Sequence, residues 1–314
     1  MNDQRIRGLV AAPFTPMNED GSLNRALIPE YYQFLKQNKV KGAFICGSTG
    51  EGSSLTMQEK KDIAQAWANC TKDDKDFKVL LLTGGTCMAD CIELAKYAQQ
   101  QCLHAISFTA PFYFKPGDVA TLAACCKEIA SAVPGMPFYY YHIPVFTGVN
   151  FPMIDLLKNV DGEIPNFAGI KYTHEDFMDF LSCLHFQNGK YDMLWGRDEN
   201  LLSALPLGVK GAVGSTYNYA APVYYDLIEA FNTHNLEKAQ ALQQQSIDMI
   251  TLLGKYGGGI STGKAYMKLV GLDCGVLRLP MKNISPENFN LFKKDTDQIN
   301  FSSFCSRLPS EVNI

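Results

Sequence analysis

The feature that most limits what this chain can fold into is a rhythm. Short apolar, β-rich runs recur along it at regular spacing, each followed by a longer amphipathic stretch. The runs cover residues 8–12, 42–46, 79–82, 105–109, 138–141, 167–171, 192–195 and 211–214. Helical patterns lie between them, near residues 25–39, 90–101, 118–132 and 198–206. Thr56, with Glu59 three residues on, reads as a capping box that opens another helix. Strands alternating with helices imply βα units around a parallel sheet. Eight such units predict a closed (β/α)8 barrel, a TIM barrel, which needs about 250 residues. An open doubly wound sheet is the alternative. Beyond the eighth unit the pattern turns purely helical, over 236–253, 262–270 and 286–294. The expected organisation is therefore a barrel over residues 1–231, carrying the active site, and a C-terminal helical extension over 232–314 packed on it.

Composition narrows the function. Of 314 residues, 46% are hydrophobic and 19% charged, the profile of a soluble globular protein. A net charge of -4 offers no basic face to nucleic acid or anionic lipid, so neither partner is expected. The stretch Met1–Arg7 is polar and lacks the apolar core of a secretory signal, and no apolar run is long enough for a membrane span. The ten cysteines are scattered, with no Cys-x-x-Cys pair, and read as reduced thiols in a cytoplasmic protein. The five histidines show no ligand spacing, and His174-Glu175-Asp176 reads as a helix cap, so no metal is expected.

In a barrel of this kind the chemistry gathers where strands end. Six of the eight strand ends carry polar or reactive groups: 47–52, 111–114, 141–144, 171–173, 196–199 and 215–218. Lys171 closes an apolar run, where desolvation disfavours its ammonium form. A lysine tuned towards pH 7 can attack a ketone. A lysine at the barrel rim, paired with a carboxylate such as Glu199, is the other reading. Tyr141 is a candidate proton relay. Strand alternation puts Tyr139 on the same face but deeper, and Tyr139 and Tyr140 read as packing residues. The loop 47–52 could cradle an anion with backbone N–H groups, with Ser48 and Thr49 adding hydroxyl donors. It lacks the ending of a nucleotide loop, so a carboxylate suits it better than a triphosphate. The segment 258–264 has the spacing of a phosphate loop, but Ala265 stands where a Mg²⁺-binding hydroxyl is required, and a helical pattern precedes it instead of a strand. It reads as a loop opening a helix near Thr262.

Taken together, Gly47-Ser48-Thr49-Gly50-Glu51, Tyr141-His142-Ile143-Pro144, Gly169-Ile170-Lys171-Tyr172-Thr173 and Gly214-Ser215-Thr216-Tyr217-Asn218 resemble the dihydrodipicolinate synthase/N-acetylneuraminate lyase superfamily. The resemblance runs from Arg7 to about Leu279. Within the superfamily, 137–144, 201–205 and 211–219 look most like the animal-type N-acetylneuraminate lyases. The resemblance implies a class I aldolase that cleaves N-acetylneuraminate reversibly to N-acetylmannosamine and pyruvate, with no cofactor beyond the covalent imine. Lys171 would be the Schiff-base lysine and Tyr141 the acid/base relay. Ser48 and Thr49 would hold the carboxylate of the 2-oxo acid, and Thr173, Gly196, Asp198, Glu199 and Ser215 the sugar hydroxyls. It also implies a homotetramer in which Tyr113 corresponds to a tyrosine that reaches the neighbouring subunit's site, next to the position of Ser48. Animal-type members are expected to carry phenylalanine there, which leaves a Tyr113 relay open. Arg197 departs from the small or aromatic residue expected, and could tune the sugar end or pair with a nearby carboxylate. Dihydrodipicolinate synthases usually place an arginine two residues after the proline of the fifth-strand motif. Here that residue is Phe146, which cannot bind a second carboxylate. The alternatives are another pyruvate-dependent aldolase, acting on a 2-keto-3-deoxy sugar acid or on 4-hydroxy-2-oxoglutarate, and, further behind, a dihydrodipicolinate synthase or a catalytically silent binding protein.

Overall fold

In the computed structural model, which describes residues 5–308, the eight runs are parallel strands closed into a barrel in chain order. They span Gly8–Ala11 (β1), Gly42–Ile45 (β2), Lys78–Leu82 (β3), Ala105–Thr109 (β4), Phe138–His142 (β5), Phe167–Tyr172 (β6), Asp192–Trp195 (β7) and Gly211–Gly214 (β8). The open sheet is ruled out, because β1 and β8 share a ladder from Gly8–Gly211 to Ala11–Gly214. The α-helices are Ile28–Gln37 (α1), Met57–Thr71 (α2), Met88–Gln100 (α3), Val119–Ser131 (α4), Pro144–Thr147 (α5), Met153–Val160 (α6), Phe177–His185 (α7), Leu201–Ala204 (α8) and Tyr217–Asn232 (α9). Three more follow: Leu236–Lys255 (α10), Gly259–Leu269 (α11) and Pro286–Gln298 (α12). Of the polar opening stretch, residues 1–4 lie outside the described residues, as do 309–314 of the extension. Among the described residues no helix is long and apolar enough to cross a membrane, and no disulfide joins two cysteines.

Strand alternation sorts the side chains into two layers. Val10, Phe44, Leu80, Leu82, Tyr139, Tyr141, Leu194 and Val213 fill the barrel. Leu9, Ala43, Leu81, Phe108, Tyr140, Tyr172 and Trp195 face the helices. Removing each large apolar side chain from water contributes about 1.5–3 kcal/mol. At the N-terminal end of the barrel, Tyr139 donates to Asp192 Oδ2 at 2.9 Å and the Ile6 N–H donates to the same oxygen at 2.9 Å. Tyr139 and Tyr140 thus have the packing roles expected of them.

The sixth strand departs from simple alternation. Phe138 pairs with Phe167, but Tyr139 pairs with Gly169, so β6 carries one extra residue, Ala168. A slip of one residue moves every later side chain to the other face. Phe167 therefore faces the helices while Lys171, opposite the inward Tyr141, faces the interior. Gly169 is required at the slip, since a Cβ there would lie 1.9 Å from the Asp192 carbonyl oxygen.

Local signals mark several boundaries. Thr56 accepts the Glu59 N–H at 3.2 Å and Glu59 Oε2 accepts the Thr56 N–H at 2.9 Å, completing the capping box. Glu59 also binds Arg278, which ties the segment after α11 to α2; this bonding holds the Glu59 carboxyl down at about 2. Asp176 caps α7 by accepting the Asp179 N–H. The single helix expected over 198–206 is instead a 3-10 turn, the four-residue α8 and a second 3-10 turn. Asn200 leaves helical geometry at φ -139°, ψ 33°, and Pro206 has no N–H to continue the ladder. The helix expected near Thr262 starts earlier, at Gly259, directly after Gly258 at φ +98°.

Candidate active site

Lys171, next to the last residue of β6, lies inside the barrel and is 4% exposed. Its Nζ lies 4.0 Å from the centre of the Phe44 ring and 3.9 Å from that of Tyr141. No carboxylate pairs with it among the described residues; Glu199, the rim partner considered from sequence, pairs with Arg197 at 2.9 Å. Burial drives the Lys171 pKa down to about 7, and the charge of Asp198 opposes the shift only in part. An amine in this state is substantially neutral near pH 7, and the two ring faces still tolerate its cation.

Tyr141 enters from β5 alongside. Burial pushes its phenol up to about 12, against the hydrogen-bonding influence of the Ser48 and Thr173 hydroxyls. It is therefore a protonated phenol surrounded by hydroxyls, a geometry that suits proton relay. Ser48 belongs to the turn after β2, whose shape depends on Gly52: a Cβ there would come within 1.9 Å of the Cys46 carbonyl oxygen. Within this turn the Glu51 N–H donates to Ser48 O and the Gly52 N–H to Gly47 O. These two N–H groups are therefore unavailable to an anion, which narrows the expected cradle to the Ser48–Thr49 end.

The seventh and eighth strands supply the opposite wall. Asp198 is 5% exposed, and its Oδ2 accepts from the Thr216 N–H at 2.9 Å and the Thr216 hydroxyl at 2.6 Å. Its Oδ1 has no hydrogen-bond partner among the described residues. Burial, reinforced by the charge of Glu199, lifts this carboxyl to about 6. Two glycines make room. A Cβ on Gly214 would sit 1.8 Å from Asp198 Oδ1, and one on Gly196 would sit 2.0 Å from Thr173 Oγ1. Glu199, by contrast, stands at the rim with about a third of its side chain exposed.

The barrel mouth therefore brings together Lys171, Tyr141, Ser48, Thr173, Gly196 and Asp198. A cavity of about 290 Å³ is lined by Ser48, Glu51, Thr109 and Tyr141, among others. It adjoins a wider recess bordered by Ser48, Thr49, Ser215 and the start of α11. An equally wide recess at the other end of the barrel, beside Lys78, His104 and Asn166, contains none of the expected site residues. Tyr113 does not join the site within one chain; it is 77% exposed. His142 and Tyr172 do not face the mouth either. Both point into the helix layer, where their rings lie 5.0 Å apart. Among the described residues, no three of His, Cys, Asp and Glu come together as a metal-ligand set.

Sequence reasoning missed Phe44, which packs under the lysine, and Thr216, which orients Asp198. It also missed Glu51, whose buried carboxylate meets Lys264 at 2.9 Å. Inward alternation on β2 could have found Phe44. The other two depend on contacts between distant parts of the chain.

Comparison with known proteins shows the family of the chain. The model of the dihydrodipicolinate synthetase family matches residues 5–299. The chain is 38% identical over 304 residues to an N-acetylneuraminate lyase of Rattus norvegicus, covering 96% of this chain and 95% of that protein. The N-acetylneuraminate lyase of Homo sapiens matches to the same extent, at 38% over 304 residues. Among solved structures, that of the Proteus mirabilis N-acetylneuraminate lyase superposes with a TM-score of 0.91 at 35% identity, over 95% of this chain and 99% of the other. A match over nearly the whole chain, with the barrel and its mouth in place, means that this protein belongs to the dihydrodipicolinate synthetase family.

Proposed function

We propose that this chain is a class I aldolase that cleaves N-acetylneuraminate reversibly to N-acetylmannosamine and pyruvate. The observation that carries the reading is Lys171, buried at a strand end with no paired carboxylate among the described residues and with its pKa brought down to about 7. The names of its relatives supply the substrate. In this reading the neutral amine adds to the C2 ketone of the open-chain sugar acid, and the adduct takes up a proton from solvent and loses water, giving a protonated imine. Ser48 and Thr49 hold the neighbouring carboxylate. Tyr141, a protonated phenol, passes its own proton to that carboxylate as it accepts the one leaving the C4 hydroxyl and the C3–C4 bond breaks. The bonding pair moves into the imine to form an enamine, and N-acetylmannosamine departs. Protonation at C3 and hydrolysis release pyruvate and the free lysine. Asp198 Oδ1, buried and without a hydrogen-bond partner among the described residues, is the acceptor for a sugar hydroxyl in this reading, and Thr173, Gly196, Glu199 and Ser215 complete that wall.

The same reading includes a cytoplasmic homotetramer. Phe112, Tyr113, Phe114, Val145 and Phe146 form an exposed apolar group beside the mouth, the kind of surface that a second subunit covers. Tyr113 is then the residue placed to reach a neighbouring site.

The test is intact mass after borohydride reduction with saturating pyruvate, followed by peptide mapping. The expected result is one stable pyruvate-derived adduct per chain, on Lys171. A chain that stays unmodified, or is modified at another lysine, would sink the imine mechanism. A screen of aldehyde acceptors then checks the sugar.

A further inference from the structure

Arg197 is the residue at the mouth that the proposed reaction leaves without a task. It follows β7 between Gly196 and Asp198, and its carbonyl accepts from the Trp195 indole N–H at 2.8 Å, which fixes the main chain there. Its Nη2 lies 2.7 Å from Glu175 Oε1 and 2.9 Å from Glu199 Oε1. Glu175 comes from the loop after β6, and its Oε1 also accepts from Asn200 Nδ2 at 3.1 Å. One guanidinium therefore links two βα loops through two carboxylates. Those two oxygens share a single N–H₂ group and would repel each other without it. The pairs are partly exposed, so they contribute little to stability. Their effect is on where Glu199 points.

We infer that Arg197 is a positioning residue that determines substrate length: it holds Glu199 as a fixed acceptor for the far hydroxyls of a long polyol chain. The inference rests on the reading of this mouth as a pyruvate aldolase site. Lys171, Ser48 and Thr49 hold the reacting end and do not touch Arg197, so a change at Arg197 acts on the tail alone. An interaction made equally in ground and transition states appears in KM and not in kcat.

The experiment is condensation of pyruvate with acceptor aldehydes of different length, in wild type and Arg197→Met. With a six-carbon amino sugar, KM for the acceptor is expected to rise roughly tenfold while kcat stays within about twofold. With glyceraldehyde, which cannot reach the rim, neither constant should move. Arg197→Lys should recover part of the long-acceptor loss. Glu175→Gln, which removes the competing carboxylate, should leave the long acceptor's KM unchanged or lower it. Equal losses for both acceptors, or a Glu175→Gln loss matching that of Arg197→Met, would reduce Arg197 to a loop staple and overturn the inference. Unchanged kinetics with the long acceptor would do the same. Pyruvate trapping on wild type separates the two readings: no adduct there defeats the aldolase itself, whereas an adduct with no length dependence defeats only the role of Arg197.

Discussion

The barrel mouth and the junction between the barrel and α11 each bury one lysine, and the two have opposite surroundings. Lys171 and Lys264 are 4% and 5% exposed, so burial alone does not tell them apart. Lys264 donates to the Val276 carbonyl at 2.7 Å and meets the Glu51 carboxylate at 2.9 Å. Lys171 has two aromatic faces and a partial, distant influence from Asp198. A buried ammonium with an acid and a carbonyl beside it is a fixed cation that joins two parts of the fold. One without them can shed its proton and become a nucleophile. What separates reactive from structural is the partner that was left out.

The comparison can be broken in three ways, from the largest effect down. Lys171→Met should lower turnover of the sugar acid by at least about 10³-fold, because the bond-forming atom is gone. The same variant should be more stable than wild type, by roughly 3–5 kcal/mol at pH 6. The sign follows from protonation: the folded pKa, about 7, lies below the unfolded value of about 10.4. Below pH 7 both states hold the proton and the full burial cost is present. Between these values the unfolded chain holds more protons, so wild-type stability climbs with pH. The advantage of the methionine should therefore shrink towards pH 10 in urea denaturation curves, and a constant difference would contradict the depressed pKa.

Glu51→Leu should act in the opposite direction, costing about 3–5 kcal/mol by leaving Lys264 buried without its acid. The double variant Glu51→Leu/Lys264→Met should regain most of that loss, and failure to regain it would mean that the pair matters through shape alone. The smallest effect is expected at an exposed lysine. Lys127 pairs with Glu163 at 2.8 Å with both side chains more than half exposed, and Lys127→Met should leave the denaturation midpoint in place.

Much of this arrangement was legible because it is local. The eight strands follow from apolar runs, the start of α2 from Thr56 and Glu59, and the inward pairing of Tyr139 with Tyr141 from alternation. Lys171 is more instructive. The role proposed for it rests on its place at a strand end, but its direction could not be read there. Counted by alternation from Phe167, it would face the helices. The extra residue at Ala168 turns it inward, and nothing in the local pattern announces that slip. Lys264 misled in the other way: its glycine-rich setting resembles a phosphate loop, whereas its partner, Glu51, is more than 200 positions away in the chain. The expected anion cradle was drawn too wide, because the pattern does not reveal that Glu51 and Gly52 use their N–H groups within the turn. The paired carboxylates on Arg197 come from separate loops, so the sequence left tuning and pairing equally open.

The ladder between β1 and β8 has a consequence in time. Gly8 pairs with Gly211, so the first strand leaves the ribosome some 200 residues before its second neighbour exists. At about 5–20 residues per second, that is a wait of roughly 10–40 s. Throughout it, one edge of β1 lacks the strand that closes the ring, and Lys171 itself is made only about 40 residues before that strand. Lys171 is synthesised into water and is enclosed only as the ring around it closes. The reactivity proposed for Lys171 is therefore a property of the closed ring and not of the strand that carries it.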